Sequence, residues 1–165
     1  QAAKVRHAAA ALRPQAEAAA KAGCRIDIYN HGGWGGEPEN QIAVIEELKL
    51  PNVGIVYNQH HGHDHLPRFK ELLAKMLPHL RFLNLNGMTP EGDKKGKKIL
   101  VIGQGDLDVD LARTICESGY KGPIGILNHT SLDAETRLLD NIEGLAWVTG
   151  ELTGKRIPKP TPRQP

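Results

Sequence analysis

The stretch VGIVYNQHHGHDH, residues Val53 to His65, decides the reading of this chain. Val53 to Tyr57 is a short apolar run, which reads as a buried strand. It breaks at Asn58 into four histidines and one aspartate within seven residues. In a parallel β/α protein the site is built at that place, directly after the strand. The pattern recurs along the chain. Ile26 to Tyr29 ends in Asn30 and His31; Phe82 to Leu85 carries Asn84 and ends in Asn86; Ile124 to Leu127 ends in Asn128 and His129. A helical pattern follows each run. Six of the eight histidines lie at these ends, so a polar site at one end of a sheet is expected.

The connecting segments fit this arrangement. Residues 1 to 22 are rich in Ala, a strong helix signal, with an interruption at Pro14 and a stop at Gly23. HGGWGG, residues 31 to 36, predicts an irregular loop with positive φ. Pro38 and its flanking acids open a helix whose Ile42, Ile45 and Leu48 face a core. Pro67 opens the next helix, and Pro78 stops it. The charge run from Gly87 to Lys98 reads as a solvated loop. GQGDLDVD, residues 103 to 110, leads into a helix from Val109 to Ser118, and Asp133 to Trp147 forms the last amphipathic helix. Cys24 and Cys116 lack metal spacing and read as core thiols. Strands alternating with helices over short connections predict a parallel sheet.

Length and charge narrow the function. The 165 residues suffice for one domain. A net charge of +2 gives no electrostatic footprint for nucleic acid or a membrane surface. No apolar run approaches a membrane span. A soluble protein is expected, of unassigned compartment. The start lacks a signal-peptide pattern, but it is Gln1 rather than Met, so the true N-terminus is expected upstream.

Four features resemble the C-terminal half of the xylose-isomerase-like TIM-barrel family, which includes sugar phosphate isomerases and epimerases and the endonuclease IV branch. Tyr29-Asn30-His31-Gly32-Gly33 is similar to that family's Glu-Asn-His-Gly-Gly strand end. Val53 to His61 resembles its strand ending in Asp with a His three residues on. Gly103 to Asp108 resembles its Gly-x-Gly-Asp-x-Asp loop, and Gly119 to Pro123 its Gly-Tyr-x-Gly-Pro turn. The resemblance covers roughly residues 15 to 150 and implies a (β/α)₈ barrel. A complete barrel takes about 250 residues, so this chain is expected to supply about half of one. Residues 1–153 would be that half, and 154–165, with four prolines and four basic residues, a disordered tail. The other half would come from the same longer chain, the expectation we favour, or from a second copy.

The resemblance also implies a divalent metal held by Glu, Asp, His and Glu. Tyr29, Asn58, Asn84 and Asn128 stand at three carboxylate positions and one histidine position, so only His61 matches a site residue outright. Amides lack the charge with which carboxylates bind Mg²⁺ or Mn²⁺. Asp27, two residues before Tyr29, offers a partial substitute. Imidazoles suit Zn²⁺, and His61, His63 and His65 alternate as a candidate ligand set. The alternative is a polar loop whose histidines cap a helix or bind hydroxyls.

Asn30, Asn58, Asn84, Asn86 and Asn128 read either as strand-end turn formers or as a shared lining for a small-molecule carbohydrate. Tyr29, Gln104 and His129 join that lining. Trp34 stacks on a sugar or plugs the core; both readings stand. The implied chemistry is proton transfer next to a carbonyl, a sugar or sugar-phosphate isomerase or epimerase reaction. His31 and His61 are its acid–base candidates and Glu37 the carboxylate that orients one of them. Two alternatives come from other classes: a non-catalytic carbohydrate-binding protein, and a metal-dependent hydrolase or lyase using the histidine cluster.

Overall fold

A computed structural model describes residues 1–163. The elements are helix α1 (Ala2–Lys21), strand β1 (Ile26–Tyr29), the single helical turn α2 (Gly33–Gly36), α3 (Pro38–Leu48), β2 (Val53–Asn58), two 3-10 segments (Gln59–His61 and His63–Arg68), α4 (Phe69–Met76), β3 (Leu80–Leu85), α5 (Asp108–Glu117), β4 (Ile124–Ile126) and α6 (Ala134–Thr153).

The four strands pair in parallel in the order β1-β2-β3-β4. Each strand lies beside the next in sequence. With the right-handed crossovers such units take, that order leads every helix to the same side of the sheet. A sheet wound in one direction is the wall of a barrel, and four strands make about half of it. The helix-covered face carries the core: Ile55, Tyr57, Leu83, Leu72, Leu73 and Met76 are buried in one cluster. Strand alternation turns Asp27, Tyr29, Val56, Asn58, Phe82 and Asn84 to the other face. Val56 and Phe82, the apolar residues of the open face, stand outside the core cluster.

Local departures from the sequence reading have local causes. Pro14 does not interrupt α1, which runs unbroken through it. Pro14 leaves only one carbonyl without its helical partner, while Ala propensity and packing on α3 hold the rest. Arg13 Nη2 donates to Leu48 O (3.1 Å), and Asn52 Nδ2 donates to Ala16 O (2.8 Å). The glycine loop is not wholly irregular: Gly32 (φ 80°) and Gly33 (φ 61°) reverse the chain, and one helical turn follows. Pro67 lies in the second 3-10 segment, so the regular helix starts at Phe69. Ile99–Ile102, leading into the GQGDLDVD segment, contributes one antiparallel bridge, Leu100 to Gly87.

Glu91, Asp93, Lys94, Lys95, Lys97 and Lys98 of the charge run are exposed, as expected of a solvated loop, but the start of the run is not. Gly87, Met88 and Thr89 are buried, and Asp108 fixes the segment from the other side. Its carboxylate accepts from the backbone N–H groups of Met88 (2.6 Å), Gly103 (2.6 Å) and Gly105 (2.9 Å). Cys24 and Cys116 are exposed, not core thiols, because each sits where an element ends. Helix α6 is capped by Asp133, which accepts from Thr136 N (2.8 Å), and extends six residues past Trp147 to Thr153. The described part of the tail, 154–163, is irregular and packed on α6. Arg163 pairs with Asp140 and Glu143, Lys159 lies over the Trp147 ring, and Pro160 O accepts from Gln104. Residues 164 and 165 lie outside the described residues. Among the described residues no helix is long and apolar enough to cross a membrane.

Candidate functional site

The ends of β1 and β2 meet at the mouth of the sheet. Asn58 closes β2 and caps the turn that follows: its Oδ1 accepts from His60 N (3.2 Å). Its Nδ2 donates to the Tyr29 hydroxyl oxygen at 2.5 Å. Tyr29 and Asn58 therefore share the open face, as alternation requires. Asn84 lies opposite Asn58 in β3, and its side chain spreads over Gly125, 2.5 Å from where a Cβ would stand.

The 3-10 turn Gln59–His61 swings the His61 imidazole toward β1 and the His60 imidazole toward the end of β4. The His61 ring lies 4.6 Å from His31, 3.6 Å from His60 and edge-on to Tyr29 at 5.5 Å. His129, after β4, reaches within 6.0 Å of His60. His31, His60, His61 and His63 border a cleft of ≈ 330 Å³ that Asp64, Asp93 and Lys98 also line. Burial and then the neighbouring His61 push the His60 imidazole down to about 4. Burial and then His31 hold His61 below the ordinary histidine range. Charging one ring disfavours charging the next, so at neutral pH His60 and His61 are neutral bases.

The alternating triad His61, His63, His65 is not brought together. His63 Nε2 donates to Lys98 O (2.9 Å). His65 turns into the protein, with Nδ1 3.0 Å from the Tyr57 hydroxyl and Nε2 3.4 Å from Glu37. A 3-10 segment advances about 120° per residue, so alternate histidines diverge where they would have shared one side of a strand. Gly62 makes the divergence fit: a Cβ there would stand 2.1 Å from the Tyr57 hydroxyl. Among the described residues no group of three or more His, Cys, Asp or Glu side chains is placed to hold one ion. The hydrolase or lyase alternative loses its ligand set with the triad.

Nor do the strand-end positions fit a hard divalent cation. Tyr29 and Asn58 are bonded to each other, Asn84 and Asn128 are amides, and none offers a carboxylate. Asp27 is exposed on the open face, lying with Arg81 over Gly54.

Several other candidates serve the scaffold. Asn30 is fully buried, with both ends of its amide bonded to the Asn58 backbone. Glu37 orients neither His31 nor His61; it contacts His65 and Arg68 (3.1 Å), because α3 starts on the helix side of the sheet. Trp34 is partly buried against the core, with Nε1 donating to Gln1 Oε1 (3.0 Å). Asn86 is buried, and its Nδ2 donates to Gly87 O (2.9 Å). Gln104 donates to the tail at Pro160 O (3.0 Å). Asn128 Oδ1 accepts from Thr130 (3.2 Å) in the same loop as His129.

Asp93 and Lys98, which line the cleft, read in sequence only as members of the charge run, and His60 stands outside the candidate ligand set. His60 was visible only as a neighbour of His61, and a 3-10 turn was the signal needed to aim it. Lys98 was hidden in the charge run, and nothing local marks it off from Lys94, Lys95 or Lys97.

The family model described as xylose isomerase-like TIM barrel matches residues 1–147. No curated protein matches the chain. Solved structures of the same fold do. The apo form of a 3-keto-D-glucoside 4-epimerase from E. coli aligns with TM-score 0.65 at 17% identity, over 86% of this chain and 51% of that one. An L-ribulose 3-epimerase aligns with TM-score 0.67 at 15% identity, over 90% and 54%. A xylose isomerase-like TIM barrel protein from Mycobacterium smegmatis, solved with magnesium, aligns with TM-score 0.64 at 20% identity, over 94% and 52%. This chain thus spans about half the length of the solved structures it matches. With four singly wound parallel strands and a family match over nearly its whole length, the chain belongs to the xylose isomerase-like TIM-barrel family.

Proposed function

We propose that this chain forms one wall of a sugar-binding barrel that moves a proton next to a carbonyl, as an isomerase or epimerase does. The observation that supports this reading is the contact of His31 and His61. They follow adjacent parallel strands and bring their rings to 4.6 Å at the mouth of the sheet. Neutral His61 is the base that takes the proton from carbon, and exposed His31 beside it returns one. Because Asn58 Nδ2 donates to the Tyr29 oxygen, the phenol's own proton is free to be donated to the developing oxyanion. Asn84 and Asn128 offer amides to hydroxyl groups. Epimerases among the structural neighbours act on keto-sugars by their names, which sets the substrate class to try first. The rest of the barrel would come from a longer chain of which this is the C-terminal half, or from a second copy.

The test is hydrogen exchange. Keto-sugars incubated with the protein in D₂O should gain deuterium at the carbon beside the carbonyl, read by NMR. Sugar binding without any exchange would favour a second reading, a carbohydrate-binding protein without turnover. The neutral groups Tyr29, Asn58, Asn84 and Asn128 at the four strand-end positions support that alternative.

A further inference from the structure

A second cavity, of ≈ 410 Å³, lies between the 3-10 segment His63–Arg68 and the loop that precedes α5. Leu66, Pro67, Pro90 and Leu107 give it a carbon wall. It meets the strand-end cleft at His63, Asp64 and Asp93, which line both, whereas Lys98 lines the cleft alone. The polar groups at this shared wall are acceptors. His63 is 8% exposed, and its Nε2 donates to Lys98 O (2.9 Å). A carbonyl only accepts, so Nε2 carries the ring proton, and Nδ1 of the neutral ring is a bare lone pair. Nδ1 has no hydrogen-bond partner among the described residues, and a buried polar atom of this kind signals a missing one. Asp93 Oδ1 stands 4.0 Å from it, beyond hydrogen-bond length, on an exposed side chain that is free to swing. The charge of the lining is acidic on balance: Asp64, Glu91 and Asp93 against Lys94. Glu91 pairs with Lys94 (3.5 Å) and with Lys95 (3.7 Å), and among the described residues no lysine or arginine pairs with Asp64 or Asp93.

We propose that this cavity binds an organic ammonium ion, a small primary amine with an apolar body. The ammonium donates to His63 Nδ1 and to Asp93, Asp64 adds charge beside it, and the carbon body lies against Leu66, Pro67, Pro90 and Leu107. An anion is the wrong occupant, because it would meet a lone pair and two unpaired carboxylates. A metal ion lacks its ligands, since no three His, Cys, Asp or Glu side chains among the described residues are placed to hold one. The volume and the mixture of a carbon wall with a few polar groups suit a small molecule.

The experiment is a ligand-observed NMR titration of the whole chain at constant ionic strength. The probes share one body: phenethylammonium, phenethyl alcohol and phenylacetate, with Zn²⁺ as a competitor. Phenethylammonium should bind about tenfold tighter than the alcohol, as a charge-assisted contact provides, and phenylacetate should bind more weakly than either. Asp64 and Asp93 are exposed, so Asp64→Asn and Asp93→Asn should keep the fold. Each should reduce the ammonium preference several-fold and leave alcohol affinity within about twofold. Leu107→Ala should weaken amine and alcohol alike. Equal affinity for amine and alcohol, or an ammonium preference that survives in the Asp64→Asn, Asp93→Asn double variant, overturns the site. Displacement of the amine by equimolar Zn²⁺ overturns it in favour of a metal, and no binding of any probe overturns it outright. None of these outcomes bears on the proton transfer proposed for the cleft, which the exchange of keto-sugars in D₂O tests separately.

Discussion

Asn30 and Asn58 end neighbouring strands, and the side chain of the first is bonded to the backbone of the second at both ends of its amide. Asn30 Oδ1 accepts from Asn58 N at 2.7 Å, and Asn30 Nδ2 donates to Asn58 O at 3.0 Å. The pair extends the sheet by one rung where the β1 backbone turns away. It also fixes Asn58, whose own amide holds Tyr29 and caps the His60 turn. The site is thus built on a structural amide. Asn30→Ala leaves a buried N–H and C=O unpaired and should cost about 3 kcal/mol. Urea unfolding measures the loss. A change below about 0.5 kcal/mol would mean that water replaces the amide freely.

His61 is predicted to behave in the opposite way. It is half-buried, and its contacts are with other rings rather than with the core. His61→Ala should lower the melting temperature little and weaken sugar binding or turnover at least tenfold. Paired calorimetric binding and thermal melting on wild type and variant decide the matter. Unchanged affinity with a large drop in melting temperature would make His61 a packing residue.

Asp108 should make stability depend on pH. Burial pushes its carboxyl up to about 6 from an ordinary 3.8, against the pull of the N–H groups of Met88, Gly105 and Gly103. The folded value lies above the unfolded one. The stabilising contribution is therefore fully present below 3.8 and is lost as pH rises through about 6. The whole span is worth roughly 3 kcal/mol at most. Asp108→Asn cannot titrate and should flatten this part of the profile. Urea midpoints of both proteins between pH 4 and 7.5 check it; parallel curves would exclude Asp108 as the source.

The free flank of the sheet predicts self-association of the isolated chain. Leu138, Ile142 and Leu145 recur at helical spacing on α6 and are 49%, 49% and 36% exposed, and Ile124 of β4 is 48% exposed. In the proposed complete barrel the missing wall covers them. Light scattering should find dimers or larger species at micromolar concentration, reduced by the double change Leu138→Lys and Ile142→Lys. A monodisperse wild-type monomer that melts cooperatively would argue against the half-barrel reading.

Apolar runs punctuated by Gly and Pro were enough to place the four strands, their parallel sense and the end at which polar groups gather. Burial is periodic, and period is a local property of sequence. The aim of the polar side chains was not legible in that way. Asn30 faces Asn58 across 28 residues of sequence, and His63 meets the carbonyl of Lys98 across 35. Both contacts depend on which strands become neighbours. The histidine spacing suggested one ion, because alternation gathers side chains only in an extended chain; the turn after Asn58 is 3-10 and spreads them. Lys98 looked like its solvated neighbours until the loop folded back and held it at the cleft. Sequence alone determined the sheet and the end of it at which the candidate site residues gather. The tertiary structure decided which of its residues serve the scaffold and which face the cleft, because that choice is made by long-range hydrogen bonds and turn geometry that no local period encodes.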